Sequence, residues 1–142
     1  MANVTFMNLF DKDFIDRLFT DAVESPRLRQ NYDLRNSADD TSQRMLIALV
    51  PGTEVPIHQH ISTAETVVCL CGTIEEIIYD AEIVIGDDGT ENTQFTEKSR
   101  HLLCPKLGVY GMQIPKGLWH TVNVIEPSVI FEAKDGAYIP SK

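Results

Sequence analysis

Three histidines and one glutamate are the residues of this sequence whose types and spacing could do chemistry together. His58 and His60 stand two residues apart in "PIHQH", and Glu65 follows five residues after His60. Side chains two apart on a strand share one face, so both imidazoles would reach the same ion. Glu65 would add a carboxylate, and His120, in "PKGLWHTVN", is the only good candidate for a further ligand from far along the chain.

This set of ligands predicts a divalent transition-metal site. Three imidazoles and one carboxylate suit iron, manganese, nickel, cobalt or zinc, whereas a structural zinc site is usually tetrahedral and often uses cysteines. Four protein ligands on an octahedral ion would leave two positions for substrate, water or dioxygen. The spacing alone leaves open that His58 and His60 are surface residues, because exposed strands also carry histidines.

Most of the chain that must position these residues reads as short β-strands. From Arg44 onward, runs rich in β-branched and aromatic residues, such as "RMLIALV", "ETVVCLC" and "HTVNVI", alternate with turn signals. Gly72 and the pair Glu126-Pro127 are two of these signals. The pattern predicts a mainly β fold, a sandwich or barrel of the jelly-roll kind.

The first 42 residues have a different pattern. In "DKDFIDRLFTDAVESP", two apolar rows at i, i+4 and i+8, the second ending at Val23, predict an amphipathic helix with Asp11 as N-cap, ended by Pro26. The polar segment that follows predicts an extended arm or a lid. We therefore predict a helix and arm at 1–42 that pack on a β-barrel domain at 43–142.

Two stretches resemble the signature motifs of the cupin superfamily. The matching residues are Gly52, His58, His60, Glu65 and Gly72 for the first motif, and Pro115, Gly117 and His120 for the second. The resemblance implies a cupin jelly roll, also called a double-stranded β-helix, whose metal is held by the three histidines and the glutamate.

A longer resemblance, over most of the chain, is to the WbuC-type cupin metalloproteins. It is carried by "SPRLRQN" at 25–31, "QRMLIALVPGT" at 43–53 and "FEAKDGAYIP" at 131–140. In that group a helix and an extended arm precede a small cupin barrel, and the group is associated with polysaccharide gene clusters. The resemblance thus implies a fold and a metal, and connects the protein with polysaccharide metabolism without naming a reaction.

Seven further residues are predicted to bind substrate. They are Arg27, Arg29 and Arg35 on the arm, Tyr110 and Met112 on a facing wall, and Lys134 and Tyr138 near the C-terminus. A planar guanidinium fits a carboxylate or a phosphate, so the arginines would hold an anion if the arm folds over the barrel mouth. The alternative is that they pair with the protein's own acids.

Strand alternation also assigns the cysteines. If Glu65 faces inward, Cys69 and Cys71 do as well. We interpret them as small buried residues, because no partner cysteine has ligand spacing.

Composition narrows the partners and the compartment. The formal net charge of −9 argues against nucleic acid and against anionic membrane surfaces, so we expect a small-molecule ligand. Three cysteines without regular spacing and a start unlike a signal peptide predict a cytoplasmic protein. Open sheet edges make a homodimer a further expectation.

Two functions fit these predictions. The first is a metal-dependent enzyme, an isomerase, epimerase or oxygenase, that acts on a small sugar or sugar-acid-like molecule, with Glu65 as ligand and catalytic base. The second is a non-catalytic module in which the metal anchors a small ligand for sensing, and the absence of an obvious acid/base pair favours it. A metal-free sugar epimerase would need a His-Asp base and a Tyr acid, and the complete ligand pattern argues against it.

Overall fold

The main element of the computed structural model, which describes residues 7–137, is an antiparallel β-sheet. The elements are α1 (Lys12–Glu24), β1 (Arg29–Asp33), β2 (Ser42–Leu49), β3 (Glu65–Ile85), β4 (Glu91–Leu103), a 3-10 turn (Pro105–Leu107), β5 (Gly111–Ile114) and β6 (Trp119–Asp135). The strand order is β1-β2-β6-β3-β4, and β5 also pairs with β3. The fold is therefore mainly β, as the sequence predicts.

The two longest strands, β3 and β6, pair with each other and bend together. The sequence predicts turns at Gly72 and Pro127, but both residues lie inside continuous strands. The pairing register shifts three times between Cys69 and Ile74. Bulges of this kind bend a strand without ending it, which explains why the turn signals are misleading here.

The inner core lies between the two halves of this bent pair. Its buried members are Ile47, Leu49, Val67, Cys69, Ile74, Ile78, Leu103, Ile114, Val124 and Ile130. They come from before and after the bend of β3, so the two halves pack against each other. The pocket described below opens into this same interior.

Helix α1 packs on the outer face of the sheet. Asp11 caps it by accepting a hydrogen bond of 3.0 Å from the backbone N–H of Phe14, which confirms the predicted N-cap. Phe14, Leu18 and Ala22 are buried against outward-facing residues of β2 and β6, whereas Val23 is exposed. Among the described residues no helix is long and apolar enough to cross a membrane.

Two strands have polar sequences, so the hydrophobic pattern does not predict them. The arm residues Arg29–Asp33 form β1, which pairs with β2, and the mostly exposed residues Glu91–Leu103 form β4, which pairs with β3. Both strands stand at the ends of the strand order, where little apolar surface is covered. The arm is therefore a strand of the sheet.

The prediction that Cys71 faces inward is wrong. Cys69 lies opposite Ile130 and Cys71 opposite Val129, so Leu70 is an extra residue in β3. The bulge reverses the alternation, and Cys71 packs with the cluster under α1 while Cys69 stays in the inner core. All three cysteines are free thiols.

The bend depends on Gly72, and this can be tested by comparing Gly72→Ala with Gly89→Ala. Both glycines have a positive φ, 91° and 82°, so alanine costs about 1–2 kcal/mol of backbone strain at either position. Only at Gly72 would the added Cβ also overlap Oγ of Ser128 and the carbonyl oxygen of Pro127. We expect Gly72→Ala to lower the free energy of unfolding by about 3 kcal/mol and Gly89→Ala by about 1 kcal/mol in urea titrations. Equal losses would show that the close approach at the bend is not needed.

Candidate metal centre

Backbone hydrogen bonds hold the two distant histidine segments together. The N–H of His58 donates to the carbonyl oxygen of His120 at 3.0 Å, and the N–H of His120 donates to that of His58 at 2.8 Å. The N–H of Gly117 also donates to the carbonyl oxygen of His60 at 2.8 Å. The segment before β3 is thus fixed against the start of β6, and all three histidines are brought to one place.

The three imidazole rings converge. Their centroids lie 4.3 Å apart for His58 and His120, 5.1 Å for His58 and His60, and 5.4 Å for His60 and His120. One ring nitrogen from each residue lies within 4.8 Å of those of the other two. The geometry is suited to a metal ion.

The hydrogen bonds of the outer ring nitrogens leave the inner ones available. Nδ1 of His58 lies 2.8 Å from the carbonyl oxygen of Pro56, and Nδ1 of His120 lies 2.9 Å from that of Leu118. A carbonyl only accepts, so Nδ1 carries the proton and the lone pair of Nε2 is free to coordinate.

Two of these inner nitrogens have no hydrogen-bond partner. Nε2 of His60 and Nε2 of His120 are buried and unsatisfied within the part of the chain that the structure describes. Burial also lowers the pKa of His58 to about 4, so this ring is neutral near pH 7. Buried imidazole nitrogens without a hydrogen-bond partner are suited to bind a divalent ion, and the residues therefore fit such an ion.

Glu65 places a carboxylate beside two of the rings. Its Oε2 lies 3.3 Å from Nε2 of His60, and its Oε1 lies 3.4 Å from Nε2 of His120. Nζ of Lys134 lies 3.0 Å from Oε2. Burial favours the neutral acid, but the contacts with His120, His60 and Lys134 outweigh it and lower the pKa of Glu65. The carboxylate is therefore ionised and in reach of an ion at the histidines.

The histidines and Glu65 line a pocket of about 440 Å³. Its other polar lining residues are Arg27, Arg29, Asn31, Glu76, Glu132 and Lys134, and its apolar lining residues are Met45, Ile47, Leu49, Val55, Pro56, Val122 and Ile130. A pocket of this volume accommodates a small molecule.

Arg27 and Arg29 line this pocket without a carboxylate partner among the described residues. Nη1 of Arg29 donates to Oγ1 of Thr53 at 3.3 Å and to the carbonyl oxygen of Glu54 at 2.9 Å. Burial and the charge of Arg27 lower the pKa of Arg29. Leu28 between them has a φ of 57°, a conformation that is unusual without glycine, and its side chain packs with the cluster under α1. Two guanidinium groups that line the same pocket suit an anion.

The structure does not bring three other predicted substrate residues to the pocket. Nη2 of Arg35 forms an ion pair of 2.8 Å with Asp33. Tyr110 precedes β5 and is 61% exposed, so strand alternation does not govern its side chain. Met112 packs against the inner core, and Tyr138 lies outside the described residues. Lys134 does line the pocket, where its ammonium group contacts Glu65.

Two further glutamates line the pocket, and the sequence pattern did not predict either of them. Glu76 lies between Ile74 and Ile78 on the inward face of β3, and Glu132 follows Ile130 on that of β6. Burial, with the charges of Glu132 and Glu65, raises the pKa of Glu76 well above its usual value. Burial and the charge of Glu65 raise the pKa of Glu132 to about 7. A carboxylate in an alternating apolar row is the signal that could have revealed both.

Solved structures share this architecture. An oxalate oxidase in complex with glycolate is 12% identical, with a TM-score of 0.54 over 84% of this chain and 57% of its own. The Bacillus subtilis oxalate decarboxylase with Mn(II) centres is 19% identical, with a TM-score of 0.50 over 80% of this chain and 27% of its own. YcfD of E. coli is 17% identical, with a TM-score of 0.51 over 68% and 26%. These are cupin-fold proteins, each longer than this chain, and the likeness shows the cupin fold.

Sequence comparison gives a family without a known function. No curated protein matches the sequence. The model of a family described as a domain of unknown function, DUF6016, matches residues 10–88, which is more than half of the chain. This cupin-fold chain therefore belongs to the DUF6016 family.

Proposed function

We propose that this protein is a divalent-metal-dependent enzyme, of the isomerase, epimerase or oxygenase type, that acts on a small anionic molecule resembling a sugar acid. The observation that carries the proposal is the convergence of three imidazoles inside a pocket that also holds two arginines with no carboxylate partner among the described residues. Glu65 is the proposed fourth ligand and the catalytic base nearest to the histidines.

The charges of the pocket favour an anion. The ammonium group of Lys134 balances the carboxylate of Glu65, with 3.0 Å between Nζ and Oε2. Arg27 and Arg29 then contribute positive charge that no described carboxylate neutralises. A divalent ion at the histidines would add further positive charge and would polarise a substrate oxygen as a Lewis acid. The arginines would bind the acid group and orient the rest of the molecule toward the histidines.

The similar structures are compatible with this substrate class. Oxalate and glycolate, named for the two oxalate enzymes, are small acids rich in oxygen. Because the identities are below 20%, the likeness supports the fold alone, and the proposed substrate rests on the residues of the pocket.

We further propose that the chain is a WbuC-type cupin with a role in polysaccharide metabolism. The sequence resemblance at 25–31, 43–53 and 131–140 supports this, and Arg27, Arg29, Glu132 and Lys134 all fall within these stretches and line the pocket. Three free thiols are compatible with a cytoplasmic location, and the exposed strand β4 offers an edge at which two copies could pair.

The second candidate function is a non-catalytic sensor in which the ion anchors a small ligand. One observation favours it. Lys134 contacts Glu65 directly, so the carboxylate beside the histidines is already engaged and is a weaker base for that reason.

We predict that replacing His58 removes the metal, whereas replacing His101 does not. His101 is the fourth histidine of the sequence, is exposed on β4 and lies outside the pocket. Protein purified without added metal should contain about one transition-metal ion per chain, and His101→Ala should match it. His58→Ala should lose most of this metal, because a neutral imidazole is removed from the ligand set. Elemental analysis by mass spectrometry measures all three, and equal metal in wild type and His58→Ala would remove His58 from the site.

Product analysis separates the enzyme from the sensor. Metal-loaded protein is incubated with sugar acids and short hydroxy acids, with and without dioxygen, and the mixtures are followed by NMR. We expect at least one acid to be converted by wild type and by His101→Ala, and none by His58→Ala. An acid that binds to the metal-loaded protein and is recovered unchanged would support the sensor instead.

The two arginines are expected to provide most of the affinity for an acid group. In Arg27→Gln and Arg29→Gln, the dissociation constant for hexanoate, a simple carboxylate, should rise about tenfold, since a charged hydrogen bond contributes about 1.5–3 kcal/mol. Arg17→Gln, on the outer helix, is the matched control and should bind like wild type. Isothermal titration calorimetry measures the constants, and unchanged binding in both pocket variants would contradict an anion site at the arm.

A further inference from the structure

The side chain of Glu76 is buried in the pocket. It is 2% exposed, and within residues 7–137 its Oε2 atom has no hydrogen bond. It lines the pocket from β3, opposite Val122 of β6. A buried carboxyl oxygen without a donor costs free energy, so the fold retains Glu76 at the expense of stability.

Glu132 is a second carboxyl group of the pocket with unused hydrogen-bonding capacity. It lies in β6 opposite Val67 of β3, in the other half of the bent sheet from Glu76. Nζ of Lys134 is 3.9 Å from Oε1 of Glu132, too far for a hydrogen bond, and donates instead to Glu65 at 3.0 Å. Among the described residues Glu132 has no side-chain hydrogen bond. Two carboxyl groups from two halves of the sheet are thus available to a molecule in the pocket.

Neither carboxyl group belongs to the metal centre. The group of residues that could hold an ion consists of the three histidines, and the contacts of Glu65 connect it to that group. Between residues 7 and 137, Glu76 makes no contact of this kind, and the one ion-pair contact of Glu132 is with Lys134. Both carboxyl groups are therefore open to a ligand of different chemistry.

We propose that Glu76 and Glu132 form a hydroxyl-binding subsite, which selects polyhydroxylated acids as the ligands of this pocket. The inference rests on the proposed function for the anchoring of the acid group by Arg27 and Arg29. The substrate class is then a sugar acid, held at its carboxylate by the arginines and at its hydroxyl groups by the two glutamates.

The chemistry of a hydroxyl group matches what these side chains lack. An alcohol donates one hydrogen bond and accepts others, and a carboxyl group accepts in either state and donates when protonated. Burial raises the pKa of Glu76 and so favours its protonated form, which offers both a donor and an acceptor. The neighbouring lining residues Met45, Ile47 and Val122 are apolar and offer no competing hydrogen bonds. A ligand without hydroxyl groups would leave both glutamates unsatisfied.

Two acids of equal chain length test this. D-gluconate and hexanoate both have six carbons and one carboxylate, but only gluconate has hydroxyl groups. With the full chain loaded with Mn²⁺, we expect the dissociation constant of gluconate, or of a stereoisomeric aldonate in the same panel, to be at least about tenfold lower than that of hexanoate in calorimetric titrations.

Glu76→Leu should abolish this preference. We expect the gluconate constant to rise about tenfold and the hexanoate constant to stay within about twofold. The ligand-free variant should melt at least as high as wild type, because an unpaired buried carboxyl group is replaced by an apolar side chain of similar size. Glu132→Leu should reduce the preference in the same direction.

Glu75→Leu is the matched control. Glu75 is adjacent in sequence but does not line the pocket, and its Oε1 accepts hydrogen bonds from Arg100 and Asn123. This variant should keep the preference for gluconate. A purely structural role of Glu76 would instead lower the melting temperature of Glu76→Leu and leave the ratio of the two constants unchanged.

The outcomes separate this inference from the proposed function. If hexanoate binds through Arg27 and Arg29 but no aldonate binds more tightly, the hydroxyl subsite is overturned and the anion site stands. If the preference exists but survives in both glutamate variants, the subsite lies elsewhere and the assignment is overturned. If neither acid binds, the anion site on which the subsite depends is overturned as well.

Discussion

The reciprocal hydrogen bonds between His58 and His120 are the constraint on which the site depends. These two residues are far apart in sequence, and each donates its N–H to the carbonyl oxygen of the other. These hydrogen bonds join backbone atoms and are independent of the side-chain rotamers. They therefore fix the backbone positions from which the two imidazoles extend. The carbonyl oxygens of Pro56 and Leu118 then orient the rings and leave the inner nitrogens free. The ligand geometry is thus prepared before any ion binds.

The second constraint is the bend in β3 and β6. It brings residues from both halves of the pair into one interior, which would otherwise be a flat sheet open to water. Acids and bases therefore meet in a largely apolar surrounding, where each charge depends strongly on its neighbours. Glu65 is ionised because two histidines and Lys134 surround it, whereas burial raises the pKa of Glu76 and favours its protonated form. The same interior can hold a cation, an acid group and alcohol groups at once.

Residue periodicity and spacing predicted the features of this protein that depend only on residues close together in the sequence. The helix with its cap, and the shared face of His58 and His60, follow from periodicity and spacing. The outward position of Cys71 could not be predicted in this way, because a bulge of one residue reverses the alternation. The ion pair of Arg35 with Asp33 could not be predicted either, because it depends on the local fold of the arm. Alternation with its apolar neighbours places Glu76 inside the fold. The sequence pattern alone does not predict this, because acidic side chains are rarely buried.

The position of the ion in a crystal grown with Mn²⁺, located by its anomalous scattering, tests directly whether the three histidines and Glu65 hold a metal. We expect one strong peak about 2.0–2.3 Å from Nε2 of His58, His60 and His120, with a carboxylate oxygen of Glu65 at a similar distance. A strong peak outside the pocket, or three unchanged and unbound rings at saturating Mn²⁺, would contradict it.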